Sequence, residues 1–98
     1  MQLARVVGTV VASKKDEKMV GVKFLVLEDL DLANRPTGGS IIAADPVGAD
    51  RGEVVLYSKG SSARQTEITR DRPNDAVICG IVDQWEVGGE ERYSKFKV

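Results

Sequence analysis

The chain has 98 residues, with 14 basic and 15 acidic side chains, one cysteine, no histidine and a formal net charge of −1. A single domain of this size buries roughly two thirds of the surface its unfolded chain exposes, so it folds around a thin core that association would enlarge. The balanced charge gives no field to attract nucleic acid or an anionic membrane, and the missing histidine removes the commonest general base and metal ligand near neutral pH.

The pattern along the chain is mostly β. Gln2 to Ala12 is valine-rich, with Gly8 marking a bulge or a close backbone approach. Ser13 to Lys18 is a charged turn. Val20 to Leu30 carries the β-branched and aromatic content of a second strand. Asp31 to Gly39, with Asn34, Pro36 and the Gly38-Gly39 pair, reads as a loop. Ser40 to Ala44 is a third strand, stopped by Asp45-Pro46, and Glu53 to Ser58 a fourth.

Ser61 to Glu67 has the pattern of a short helix with Ser61 as its N-cap. Thr69 to Asp75 is a polar turn. Ala76 to Val87 is the fifth and most hydrophobic strand, and Gly88-Gly89 turns the chain into Glu91 to Val98, a polar strand or tail. The fold expected is therefore all-β with one short helix: a small five-stranded OB-like barrel plus a C-terminal hairpin or tail, forming one domain over residues 1–98. In an OB barrel the helix falls between the third and fourth strands, whereas here its candidate falls between the fourth and fifth. No apolar run approaches the roughly 20 residues of a membrane helix. Residues 1–13 lack the features of a secretory signal, and a lone cysteine fits a reducing compartment. These point to a soluble cytoplasmic protein.

The densest candidate stretch is Pro46 to Thr66. Gly60-Ser61-Ser62-Ala63-Arg64 has backbone N–H groups at a helix start and a guanidinium, a combination that can cradle an anion. Its spacing is not that of a P-loop. The plainer reading is a serine-capped turn with Arg64 paired to a carboxylate. Gly48-Ala49-Asp50-Arg51-Gly52-Glu53 offers two carboxylates, but acid–base work needs a pocket that shifts one of them. A surface turn whose glycines take positive φ is the plainer account. Cys79 lies in an apolar strand, which suits a buried structural thiol better than a nucleophile, and Gly80 suggests another backbone passing close. Trp85, Tyr57, Tyr93, Phe24 and Phe96 are too scattered for a base-stacking platform. The basic and aromatic tail Arg92 to Lys97 equally suits a strand docking on a neighbour.

Taken in order, these residues resemble the pentameric vertex proteins of bacterial microcompartment shells, the EutN/CcmL family. The resemblance rests on Gly8-Thr9-Val10-Val11-Ala12, Gly21-Val22-Lys23-Phe24-Leu25-Val26-Leu27, and Ala44-Asp45-Pro46-Val47-Gly48-Ala49. It continues through Gly52-Glu53-Val54-Val55-Leu56, Gly60-Ser61-Ser62-Ala63-Arg64 and Asp75-Ala76-Val77-Ile78-Cys79-Gly80-Ile81-Val82-Asp83. It implies a homopentamer closing the corners of a shell whose facets are hexameric tiles, with no catalysis, cofactor or metal. It implies that Gly48, Ala49, Asp50, Arg51, Gly52 and Glu53 contact the hexamers. It further implies that Gly60, Ser61, Ser62, Ala63 and Arg64 lie at the subunit interface or pore. Asp50 replaces the second glycine of the family's Gly-Ala-Gly-x-Gly-Glu pattern, adding a charge and a Cβ to that turn. Two other classes stay open: an OB-type module for single-stranded nucleic acid, and a small anion-binding or catalytic subunit using Arg64 with Asp50 or Glu53.

Overall fold

The computed structural model describes residues 1–12, 21–60 and 76–96. The strands among them are β1 (Gln2–Val10), β2 (Phe24–Leu30), β3 (Pro36–Ala44), β4 (Val54–Lys59), β5 (Ala76–Ile81), β6 (Gln84–Val87) and β7 (Glu90–Ser94). The first five close a barrel in the order β1-β2-β3-β5-β4, β4 returning to pair with β1, while β6 and β7 form a separate ribbon. This is the small five-stranded barrel with a C-terminal hairpin that the sequence predicts. The expected helix from Ser61 to Glu67, with its cap, and the turns at Ser13 to Lys18 and Thr69 to Asp75 lie outside the described residues.

Period-2 alternation builds the core. Ala4 and Val6 of β1, Leu25 and Leu27 of β2, Val55 and Tyr57 of β4 and Ile78 of β5 are buried together, and Ala49 joins them from the loop before β4. The residues between them point outward, as the pleat requires. A register shift leaves Val7 unopposed between Val6 and Gly8, so Gly8 does mark a bulge. Such extra residues sharpen strand twist and help a short sheet close on itself.

Strand limits differ from expectation where turn chemistry intervenes. β1 ends at Val10 and leaves Val11 93% exposed, and β2 begins only at Phe24, after Gly21 turns the chain at φ 85. The segment expected as a loop from Asp31 to Gly39 is one only as far as Arg35. Asp31 Oδ1 accepts the N–H groups of Ala33 and Arg35 at 2.9 Å each, and Asn34 takes φ 64. Pro36 then opens β3, a position that needs no ladder N–H. Thr37 to Gly39 bulge opposite Asp29. A Cβ on Gly39 would stand 2.9 Å from Asp29 Oδ2, so glycine is what lets β3 pass that carboxylate. Beneath it, the buried Tyr57 hydroxyl donates to Asp29 Oδ1 at 2.6 Å.

The hydrophobic run Ala76 to Val87, expected as one strand, is two. β5 leaves the barrel after Ile81, and β6 starts at Gln84 with a new partner. Apolar content alone does not signal a change of partner. Leu56 faces Gly80 and Tyr57 faces Ile78, which leaves Cys79 unopposed in a bulge. Cys79 is half-buried rather than buried, its Sγ 3.4 Å from Ser58 Oγ. Among the described residues, a Cβ on Gly80 would meet nothing within 4 Å, so none of them supplies the close backbone expected there. Gly88 and Gly89 do make the hairpin: φ is 62 and 83, with Val87 paired to Glu90. Two consecutive positive φ values in a two-residue loop define a type I′ turn.

Candidate functional site

The loop joining β3 to β4 contains the candidate turn, and one buried carboxylate shapes it. Asp45 has a side chain 0% exposed. Its Oδ1 accepts the N–H groups of Val47 and Gly48 at 3.1 and 3.0 Å, and its Oδ2 accepts that of Ala49 at 2.9 Å. Lys23 Nζ lies 3.8 Å from Oδ2 and donates to Ala49 O at 3.4 Å. Three backbone donors and one ammonium satisfy a carboxylate that burial would otherwise penalise heavily. The methyl of Ala49 drops into the core at 0% exposure, while Pro46, Val47 and Gly48 stay outside. Gly48 takes φ 80, the positive value expected of it.

Asp50 to Glu53 form a second turn. Glu53 N–H donates to Asp50 O at 3.1 Å, and Gly52 has φ 94 at the third position. That conformation requires glycine in a type II turn. Two bonds fasten the turn to β1: Gly52 N–H to Val6 O at 2.8 Å and Val6 N–H to Glu53 O at 2.9 Å. Arg5 Nη1 donates to Gly52 O at 3.1 Å. Asp50 is exposed and its φ is not positive, so its extra Cβ and charge do not strain the turn.

Glu53 is a brace. Its Oε1 accepts the Asp50 N–H and its Oε2 accepts Lys95 Nζ, both at 2.7 Å. The Lys95 hydrogen bond first, and the Asp50 N–H second, hold the Glu53 carboxyl below its ordinary value. A general acid needs the opposite shift. Glu53 is thus held as a carboxylate brace rather than poised as a general acid. Lys95 itself is fixed by its N–H donating to Asp83 O at 2.7 Å, which ties the chain after β7 to the turn.

The β6–β7 ribbon is docked by its aromatics. Trp85 Nε1 donates to Leu32 O at 2.9 Å, the Trp85 and Tyr93 rings lie 5.3 Å apart, and the Arg5 guanidinium sits 5.8 Å from the Tyr93 ring centre. Faces used this way are withdrawn from base stacking. Among the described residues, no group of three or more cysteine and carboxylate side chains is placed to hold a metal ion.

Gly48 to Glu53 therefore come together as one surface turn. Gly60 follows β4 with φ 70, and Ser61, Ser62, Ala63 and Arg64 lie outside the described residues. Sequence reasoning passed over Asp45, Lys23 and Lys95. The signal for Asp45 was present: an Asp before Pro-x-Gly is the residue type whose side chain caps backbone N–H groups two or more positions on. Nothing local could signal Lys95, whose partner is 42 residues away.

Comparison with known proteins agrees with this architecture. A family model described as "Ethanolamine utilisation protein EutN/carboxysome" matches residues 1–83. The carboxysome shell vertex protein CcmL of Gloeobacter violaceus is 50% identical over 95 residues, covering 97% of this chain and 95% of that one. The solved structure of Gloeobacter violaceus CcmL superposes with a TM-score of 0.95 at 49% identity, covering 99% of this chain and 100% of that one. The structure titled GrpN pentameric microcompartment shell protein, from Rhodospirillum rubrum, superposes with a TM-score of 0.82 at 42% identity, covering 89% and 99%.

Proposed function

The chain belongs to the EutN/CcmL family, and from that premise we propose that it is a structural shell protein whose five copies close over a vertex of a polyhedral bacterial microcompartment. The observation that carries this reading is likeness in both sequence and fold, over nearly the whole chain, to proteins named as shell vertex proteins. Catalysis has no part in it. The nucleic-acid alternative finds no support, since the Trp85 and Tyr93 rings pack on each other.

Within this reading, the turn from Gly48 to Glu53 meets the neighbouring hexameric tiles. Its preorganisation supports the assignment: Asp45, Val6 and Lys95 fix the backbone, while Asp50, Arg51 and Gly52 remain exposed. A contact that must seat the same way at every corner gains from a loop whose ordering cost is met before binding. Gly60 to Arg64 are assigned to the five-fold seam, where a glycine of positive φ turns the chain out of β4.

Native mass spectrometry tests the assembly: a five-subunit species is expected, and a monomer at micromolar concentration would refute it. The turn is tested with Arg51→Glu. That variant should stay pentameric yet fail to incorporate into shells co-expressed with hexameric tiles; unaltered incorporation would remove the turn from the contact.

A further inference from the structure

The ribbon formed by β6 and β7 stands apart from the barrel. Among the described residues, no ladder joins it to β1–β5, and none of its residues belongs to either buried cluster of the core. The stretch matched by the family model ends at Asp83, one residue before β6 begins. A lone two-stranded hairpin is marginal in water, because it has no third strand and nothing to cover its face. The order of this ribbon therefore depends on the contacts that dock it.

Those contacts fall on two loops. On one side, Trp85 Nε1 donates to Leu32 O at 2.9 Å and Asn34 Nδ2 donates to Arg92 O at 3.4 Å. On the other, Lys95 Nζ holds Glu53 Oε2 at 2.7 Å, and Glu53 Oε1 accepts the Asp50 N–H. Arg5 joins the two sides. Its guanidinium donates to Asn34 Oδ1 at 3.3 Å and to Gly52 O at 3.1 Å, and it lies 5.8 Å from the centre of the Tyr93 ring. One cation thus engages the β2–β3 loop, the ribbon and the turn. Among the described residues Asn34 is the one non-glycine with positive φ, at 64. Glycine would take that conformation at no steric cost. The asparagine is explained by its amide, which binds Arg5 with its oxygen and the ribbon with its nitrogen.

We propose that the ribbon is a strap that positions the Asp50–Glu53 turn, the two tightening and loosening as one unit. With the ribbon docked, Lys95 holds Glu53 while Arg5, braced by Asn34 and the Tyr93 ring, holds Gly52 O. With the ribbon lifted, both holds weaken together. Units of this kind open at far lower cost than the whole fold. Coupling between two sites is reciprocal, so a change at Trp85 reaches the turn and a change at the turn reaches Trp85. The use of the strap rests on the reading of the turn as a contact with neighbouring shell proteins, since a loop fastened beforehand loses less freedom on binding.

Trp85 is the only tryptophan of the chain, so its fluorescence reports the ribbon alone. In the full-length protein, Glu53→Gln and Lys95→Gln should each increase acrylamide quenching of that fluorescence about twofold. Conversely, Trp85→Phe keeps an aromatic ring but removes the donor to Leu32 O. It should accelerate Asp50 amide exchange about tenfold while the amide of Val55, in β4, keeps its wild-type rate. Wild-type quenching in both turn variants, or wild-type Asp50 exchange in Trp85→Phe, would overturn the strap. If Trp85→Phe also speeds Val55 exchange, the variant has misfolded and the quenching of Glu53→Gln decides. Trp85→Phe should also incorporate poorly into shells co-expressed with hexameric tiles. Faster Asp50 exchange with unaltered incorporation would remove the turn from the shell contact and leave the strap standing.

Discussion

Asp45 does more for the candidate site than any residue within it. It replaces a ladder of backbone partners with one carboxylate that collects three N–H groups and positions Ala49 over the core. Asp45→Ala leaves those donors without their buried acceptor and should cost about 3 kcal/mol, measured by denaturant unfolding. Tyr57 is the second residue whose role is chemical. Burial first, and the Asp29 carboxylate second, raise its phenol well above the ordinary value of 10.0. The folded state therefore keeps a proton that the unfolded chain releases, so the stability tied to Tyr57 holds below pH 10.0 and falls as pH rises beyond it. Tyr57→Phe should lower stability by about 1–3 kcal/mol at neutral pH and flatten the alkaline decline. The sequence shows Gly48 and Gly52 as turn glycines at a glance, because positive φ has a residue signature. Asp29 and Tyr57 carry no such mark, since their meeting depends on a bulge in β3 that only the closed barrel reveals.

Among the elements, the ribbon formed by β6 and β7 links the C-terminal part of the chain to the exposed turn through Lys95 and Glu53. Glu53 is lowered from 4.5, so its share of the stability is complete above that pH and lost as pH falls through the folded value. Lys95 is raised from 10.5, so its share is complete below that pH and lost as pH rises through the folded value. The brace is therefore fully effective between pH 4.5 and 10.5. Amide exchange of Asp50, whose N–H donates to Glu53, should accelerate outside this window relative to a neighbouring core amide. Glu53→Gln should remove that pH dependence, and an Asp50 amide indifferent to the substitution would show that the brace is not formed. The strands themselves were legible in sequence where β-branched and aromatic residues cluster between turn residues, as in β1, β2 and β4. Legibility failed at Pro36 to Gly39, where residues typical of loops form a strand bulge, and at Val82-Asp83, where an apolar run changes partner without changing composition.

At the scale of the molecule, a thin five-stranded barrel in a family of shell vertex proteins is a subunit rather than a finished particle. Near-neutral charge and absent histidine, read first as exclusions, suit a surface meant to meet protein. The family resemblance was visible in the order of short Gly-centred segments, and among the described residues the barrel gives several of them a physical role: Gly8 flanks a bulge, Ala49 is buried in the core and Gly52 takes positive φ in a turn. Vertex closure is the central claim, and imaging co-expressed shells addresses it directly. Hexameric shell proteins produced together with this chain should give closed polyhedral particles with five-fold density at every corner, and particles made without it should show open corners. Corners that are equally filled in both preparations, or five-fold density absent when the chain is present, would contradict the account.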